Sequence, residues 1–170
     1  AYDLLRSAAA ASDPCVVFEA RGLYQTTGPV QTAKAVEGIG KARLHKEGKD
    51  AVILTWGTML KPALDAAELL EKEKRHVAVL DLRWLSPVDE AAVLSAVKAA
   101  GGRVVVAHEA NSTGGFGAEI VARLHEKAGI PLKVVRVATP DMRVPAAPVL
   151  MRELVPSADR IAEAVSGLLK

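Results

Sequence analysis

Cysteine is almost absent from this sequence. Of the 170 residues only Cys15 is a cysteine, which excludes a disulfide framework and a zinc site built from cysteines. A fold that needs no disulfide suits a reducing compartment, so we expect a cytoplasmic location. Because Cys15 begins an apolar stretch, we expect its thiol to be buried and unreactive.

Aromatic residues and net charge are also scarce. Two Trp, two Tyr and two Phe are scattered along the chain, and 22 Lys and Arg stand against 20 Asp and Glu, for a net charge of +2. This composition offers neither a stacking platform for single strands nor a field that attracts a polyanion, so we expect no nucleic-acid partner. No apolar run approaches the roughly 20 residues that span a bilayer, and no signal-peptide pattern is present. We therefore expect no membrane partner and no secretion.

Four short apolar runs predict buried strands. They cover residues 51–55 (AVILT), 77–80 (VAVL), 104–107 (VVVA) and 132–137 (LKVVRV). Such runs are typical of parallel strands that are covered on both faces. The segments between them repeat apolar residues at helical spacing, and Pro62, Asp89 and Gly101 are typical of helix ends. We predict an α/β fold, a mostly parallel sheet with helices on both faces.

The first 40 residues have a different pattern. Residues 1–12 are rich in alanine and predict a helix, and residues 15–19 (CVVFE) predict a short strand. From Arg21 to Gly40 several glycines interrupt the apolar pattern, which indicates a linker. The chain therefore predicts a helix and strand left from a preceding domain, then a linker, then the main α/β domain.

The most suggestive residues follow the third apolar run. Ligands of open α/β sheets bind outside the carboxyl ends of the strands, and here His108 and Glu109 lead into a glycine-rich turn at residues 112–119 (STGGFGAE). His108 is a candidate acid or base with Glu109 beside it, and the helix N-terminus is a candidate anion site. The structural alternatives are a histidine with a backbone or carboxylate partner, and glycines that permit tight packing. We favour the structural interpretation of both.

The other strand ends offer less chemistry. Asp81 either pairs with Arg83 or accepts N–H groups from the next loop, and the histidines 45, 76 and 125 lack the spacing of metal ligands. We consider four residues as interface candidates, namely Trp56, Arg83, Trp84 and Phe116. The residues alone thus predict an α/β domain without a self-contained active site, metal site or cofactor site.

Several segments, taken in order, carry a family resemblance. They are residues 18–24 (FEARGLY), 55–59 (TWGTM), 81–89 (DLRWLSPVD), 108–110 (HEA), 113–120 (TGGFGAEI) and 140–148 (PDMRVPAAP). Together they resemble the β subunit of the thiamine-dependent decarboxylating component of 2-oxo acid dehydrogenase complexes. The resemblance implies that residues 1–30 end a pyrimidine-binding domain, 31–40 form a linker and 41–170 form a transketolase C-terminal domain. The HEA segment resembles the branched-chain type more than the pyruvate type.

The resemblance also implies an activity and partners. The whole enzyme uses thiamine diphosphate and Mg²⁺ to decarboxylate a 2-oxo acid and passes the acyl group to a lipoyl arm. We expect this chain to bind neither cofactor and to be inactive alone. The implied partners are an α subunit or α-like domain, a second β copy and a lipoyl acyltransferase core. The short turn at 128–131 and the Lys170 end depart from the family where the core docks, which puts that partner in question.

Two alternatives stay open at this point. One is the C-terminal domain of a deoxyxylulose-phosphate synthase or a transketolase, since both carry relatives of the segments at 81–89 and 113–120. The other is a stand-alone flavodoxin-like module that binds an anion or nucleotide at the glycine-rich turn. The HEA segment and the proline-rich loop at 144–148 favour the dehydrogenase over the synthase and the transketolase.

Overall fold

Five strands form one sheet in the computed structural model, which describes residues 1–29 and 37–170. The strands are β1 (Arg43–Lys46), β2 (Ala51–Thr55), β3 (Val77–Asp81), β4 (Arg103–Asn111) and β5 (Lys133–Thr139). Their order is β1-β3-β2-β4-β5, with β1 antiparallel to β3 and every other pair parallel. The mostly parallel sheet is therefore confirmed, and each of the four apolar runs forms a strand.

Six α-helices accompany the sheet in the described part of the chain. They are α1 (Tyr2–Ala9), α2 (Leu60–Lys72), α3 (Glu90–Ala99), α4 (Phe116–Lys127), α5 (Pro148–Leu154) and α6 (Ala158–Leu168). The side chain of Asp89 accepts a hydrogen bond from the backbone N–H of Ala92, and Ser157 caps α6 in the same way through Arg160. These caps satisfy N–H groups that a helix start otherwise leaves without partners.

The core lies on both faces of the sheet because successive residues of a strand point to opposite sides. Ile53, Val79 and Val105 face α2 and α6, and they pack with residues such as Leu70 and Ile161. Leu54, Leu80 and Val106 face the other side and pack with residues of α3 and α4 such as Val97 and Leu124. Helices on both faces are what the continuous apolar runs predicted.

Two elements were not predicted from the apolar pattern. Strand β1 has the sequence RLHK and lies at the edge of the sheet, where Leu44 is 47% exposed. Helix α5 contains no buried residue. Because neither element is enclosed, neither needs the apolar periodicity by which the other elements were predicted.

The strand predicted at residues 15–19 is wrong. No strand forms there, and Phe18 and Val16 are 91% and 80% exposed. Cys15 is likewise exposed, contrary to the buried thiol we expected. A strand needs a neighbour for its backbone hydrogen bonds, and no strand of the described residues lies beside this segment.

The segment before the sheet is only partly regular. Helix α1 ends at Ala9 rather than near residue 12, and Arg21–Leu23 form one turn of 3₁₀ helix. Of the predicted linker at 31–40, residues 31–36 lie outside the described part of the chain. The three predicted domain boundaries therefore stay predictions. Within residues 1–29 and 37–170, no helix has the length and apolar character needed to cross a bilayer.

Candidate functional site at the carboxyl edge of the sheet

The carboxyl ends of the parallel strands are tied together by threonine side chains. Thr55 at the end of β2 is fully buried, and its hydroxyl donates to the carbonyl of Ala107 on β4 at 3.0 Å. Thr139 at the end of β5 donates to the carbonyl of Glu109 at 2.8 Å. These bonds cross between strands where the ladder ends, so they fix the position of the residues that follow each strand.

His108 lies at this edge with its side chain completely buried. It has 0% exposure, and neither ring nitrogen has a hydrogen-bond partner among the described residues. The structure thus differs from our expectation of a backbone or carboxylate partner. Burial lowers the pKa of His108 because it penalises the charged ring, and the charge of Arg136 lowers it further. The ring is therefore neutral at pH 7.

Aromatic rings cover the imidazole of His108. The indole of Trp56 stacks on it with centroids 5.2 Å apart and an interplanar angle of 8°. Phe116 meets the indole edge to face, with centroids 6.0 Å apart and an angle of 87°. Trp56 and Phe116 are both partly buried and belong to the cluster between the sheet and helices α3 and α4. Two of the four interface candidates thus pack within the domain.

The glycine-rich turn lies directly on the same imidazole. A Cβ atom at Gly117 would collide with Nε2 and Cδ2 of His108, and one at Gly115 would come within 2.7 Å of Cε1. Only glycine permits so close an approach of the backbone of α4 to the ring. This geometry favours the packing interpretation of the turn over the anion site.

Glu109 points away from the buried histidine. The side chain is exposed and accepts a hydrogen bond from the hydroxyl of Thr58 at 2.6 Å. Nearby, Asp141 accepts from the backbone N–H of Thr113 at 2.8 Å and from its hydroxyl at 2.5 Å. These two bonds lower the pKa of Asp141 because they stabilise its carboxylate. Glu109 and Asp141 thus each join two chain segments at the carboxyl edge of the sheet.

The end of β3 holds the remaining candidates. Asp81 accepts the backbone N–H of Arg83 at 3.0 Å, which is the second of the two roles we considered. The guanidinium of Arg83 pairs instead with Glu37, and its side chain is only 6% exposed. Arg83 has φ +57°, a left-handed conformation that turns the chain sharply after the strand. Burial raises the pKa of Asp81, while Arg83, His45 and Arg43 oppose this rise.

Trp84 has an unsatisfied polar atom. Its side chain is partly buried, and its indole Nε1 finds no hydrogen-bond partner in the described residues. A buried indole N–H normally finds an acceptor. Trp84 is therefore the interface candidate to which a partner would supply a hydrogen-bond acceptor.

The residues at this edge do not fit a metal-bound diphosphate. No group of three or more His, Cys, Asp or Glu side chains that could hold a metal ion occurs within residues 1–29 and 37–170. The large groove that sequence reasoning missed has a volume of about 760 Å³ and lies elsewhere, beside β1 and α3. Its lining is mostly alanine and leucine, for example Leu44, Ala78 and Ala96. Small apolar side chains carry no sequence signal for such a groove.

A comparison with known protein families shows to which family the chain belongs. The family model for the transketolase C-terminal domain matches residues 40–161. The chain belongs to the transketolase C-terminal domain family. The match covers the whole sheet and the helices α2 to α5, and the predicted resemblance is thereby confirmed.

Individual relatives of this transketolase C-terminal domain point to one kind of enzyme. The pyruvate dehydrogenase E1 component subunit beta of Leifsonia xyli subsp. xyli is 39% identical over 172 residues, which are 99% of this chain and 50% of the relative. The subunit of the same name from Staphylococcus aureus is 38% identical over 85% of the chain and 45% of the relative. The chain thus spans about half the length of the curated relatives it matches.

A solved structure supports the same fold. A split-gene transketolase, described as an inactive β4 tetramer, superposes with a TM-score of 0.73 and 31% identity. The superposition covers 84% of this chain and 46% of the other. The two chains therefore share one fold, and the predicted fold class is confirmed.

Proposed function

We propose that this chain is the C-terminal, assembly-forming part of the β subunit of a 2-oxo acid dehydrogenase, in its decarboxylating component. The observation that carries this proposal is the 39% identity to a pyruvate dehydrogenase E1 beta subunit over 99% of the chain. The substrate we propose is pyruvate, because the related subunits carry that name. This choice replaces the branched-chain type that the HEA segment favoured.

The geometry supports an assembly role rather than a catalytic one. His108 and Glu109 were the sole weak candidates for catalysis, and the imidazole of His108 is enclosed by Trp56 and the turn of α4. A general acid or base must come within hydrogen-bond reach of its substrate, which an enclosed ring does not. We propose that the chain is inactive alone, as the resemblance implies.

Thiamine diphosphate and Mg²⁺ belong to the whole enzyme in this proposal. The described residues do not fit them, since they offer no cluster of metal ligands at the carboxyl edge. Isothermal titration of the 170-residue chain with thiamine diphosphate and Mg²⁺ tests this point. We expect no binding in the micromolar range, and micromolar affinity would overturn it.

The exposed apolar residues support partners on two sides. Val16, Phe18 and Tyr24 are 80%, 91% and 61% exposed, and we propose that they pack in a pyrimidine-binding domain that residues 1–30 end. Residues 31–40 then form the linker and 41–170 the C-terminal domain. A second apolar group, Val149 and Leu150 of α5, is 62% and 56% exposed. We propose a second β copy and an α subunit or α-like domain as the partners.

The β4 assembly of the related transketolase supports contacts between copies. A lipoyl acyltransferase core is the least supported partner, because the turn at 128–131 is short and nothing among the described residues favours docking there. Pull-down of the full-length β subunit with its α partner and with an acyltransferase core distinguishes these partners. Capture of the α partner without the core is the result we expect.

The activity is tested on the longest natural polypeptide that contains this chain, together with its α partner. With thiamine diphosphate and Mg²⁺, we expect decarboxylation of pyruvate coupled to reduction of an artificial electron acceptor. Branched-chain 2-oxo acids serve as the matched comparison. Transfer of a ketol group between sugar phosphates, without 2-oxo acid decarboxylation, would favour the transketolase alternative instead.

A further inference from the structure

His108 lies against the first turn of α4 and is fully buried. The backbone at Gly115 and Gly117 approaches the ring so closely that a Cβ atom at either position would collide with it. The indole of Trp56 stacks on the ring, with centroids 5.2 Å apart. Exposure is 0%, and both nitrogens lack partners among the described residues. A proton that binds this ring therefore finds no acceptor for the N–H group it creates.

The charges around the ring also oppose protonation of the imidazole. Arg136 of β5 acts on His108 as a cation, and its guanidinium donates to the carbonyl of Ser112 at 2.6 Å. The amino-terminal end of α4 is the positive end of that helix. Three carboxylates lie on β4 and α4. Glu109 of β4 accepts from Thr58, and Glu119 of α4 accepts from Arg123 at 2.7 Å. The third, Glu126, is exposed in the last turn of α4, at the opposite end of the helix from the glycine-rich turn. The turn that connects β2 to α2, at residues 56–59, carries no ionisable side chain.

The turn over the ring is anchored at its start, and a glycine with free space follows the anchor. Its start is fixed at Ser112 and Thr113, which bond to Thr139 and Asp141. The next residues are glycines at 114 and 115, and Gly114 has φ +73° with nothing within 4 Å of where a Cβ atom would lie. Backbone rotation at Gly114 therefore meets little steric resistance. An opening would therefore be confined to residues 114–117 and the first turn of α4.

We propose that His108 makes the N-terminal turn of α4, residues 114–117, a pH-sensitive switch that is closed over the neutral imidazole and opens when the ring takes up a proton. The closed turn excludes the proton, whereas the open turn lets the ring contact water and titrate at the ordinary histidine pKa of about 6.5. The open population then rises about tenfold for each pH unit below that value. Opening also uncovers Trp56 and Phe116 at the carboxyl edge.

Amide hydrogen exchange on the longest natural polypeptide that carries this chain tests the switch. The exchange of a peptide covering residues 112–120 is compared with that of a peptide from α3, residues 90–99, after correction for the intrinsic effect of pH. We expect the protection of the first peptide relative to the second to be constant above about pH 7 and to fall about tenfold by about pH 5.5. An equal change in both peptides, or no change down to about pH 5, overturns the proposal.

Variants separate the ring from other titrating groups. His108→Leu keeps an apolar side chain under the turn and should abolish the fall in protection, whereas His125→Gln on the exposed face of the same helix should retain it. A fall that persists in His108→Leu overturns the proposal. If His108→Leu does not fold, His108→Asn tests the same point, and the comparison of the two peptides in the unmodified protein still decides the matter.

Discussion

The imidazole of His108 and the indole of Trp56 lie parallel, 5.2 Å apart, at the carboxyl edge of the sheet. This stack accounts for two features that sequence alone associates with chemistry, a strand-end histidine and a glycine-rich turn. The histidine fills space under the turn, and the glycines allow the helix to lie against the histidine. The edge at which α/β proteins commonly bind ligands is therefore occupied here by packed side chains.

We predict that Gly117→Ala destabilises the 170-residue chain by about 1–3 kcal/mol, because the added methyl group overlaps the ring of His108. Urea denaturation followed by circular dichroism measures the change. Gly167→Ala is the matched control, since nothing lies within 4 Å of its Cβ position in α6 and alanine favours helix. If Gly117→Ala lowers stability no more than Gly167→Ala does, the close approach of residue 117 to the ring of His108 is contradicted.

The same contact predicts coupling between two substitutions. In the double variant His108→Ala with Gly117→Ala, the smaller side chain leaves room for the new methyl group, so the two losses should not add. We expect the loss of stability in the double variant to be smaller than the sum of the two single losses by about 0.5 kcal/mol or more. A double-mutant cycle of urea midpoints measures the coupling, and strict additivity would speak against it.

We predict that Asp81→Asn stabilises the chain at neutral pH. Burial raises the pKa of Asp81, so the folded chain holds a proton there more tightly than the unfolded chain. Ionisation of Asp81 therefore lowers the stability of the fold, and this loss is complete above the pKa that Asp81 has in the folded chain. The loss disappears as the pH falls below the pKa of Asp81 in the unfolded chain, about 3.9. Asparagine keeps an oxygen for the N–H of Arg83, which Asp81 accepts at 3.0 Å.

Thermal midpoints at about pH 7 and about pH 4 check the sign of this effect. The advantage of Asp81→Asn over the unmodified chain should be largest at neutral pH and shrink on acidification. Asp13→Asn, at an exposed position, is the control and should change little at either pH. A variant that is less stable at neutral pH would mean that the contact with His45 at 3.7 Å outweighs burial.

We predict that Asp89→Ala costs about 1–2 kcal/mol of stability. The carboxylate caps α3 through the N–H of Ala92 at 3.2 Å, and its other oxygen accepts from the N–H of Ala42 at 3.3 Å. Alanine leaves both donors without this acceptor. Asp89→Asn keeps one acceptor oxygen, for the cap, and should recover part of the loss in the same urea titration. Equal losses in both variants would exclude the cap as the cause.

We predict that Phe18→Ala acts differently in two contexts. In the 170-residue chain Phe18 is 91% exposed, so the change should alter stability by less than about 0.5 kcal/mol. In the full-length polypeptide, where we propose that this segment is packed in a preceding domain, the loss should reach about 3 kcal/mol. Parallel denaturation of both proteins measures the difference, and equal small effects would contradict the proposed packing.

The fold was predictable because its main elements are enclosed on both sides. The run at 104–107 is continuously apolar, the run at 51–55 is apolar except for Thr55, and residues 51–55 are all buried. The start of α3 was predictable from Asp89, whose cap depends on residues three positions apart. Strand β1 was not predicted because an edge strand needs no apolar run. Residues 15–19 were wrongly assigned to a strand because they form an apolar run, yet no strand of the described residues pairs with them.

The sequence by itself determined the α/β class and the helix ends near Asp89 and Gly101, because these depend on periodicity and on contacts between residues close in the chain. Only the tertiary structure decided what His108 does. Its surroundings come from Trp56, Gly117 and Arg136, which lie on three other parts of the chain. A side chain's protonation and access depend on neighbours that the fold brings together, and no spacing within one segment records them.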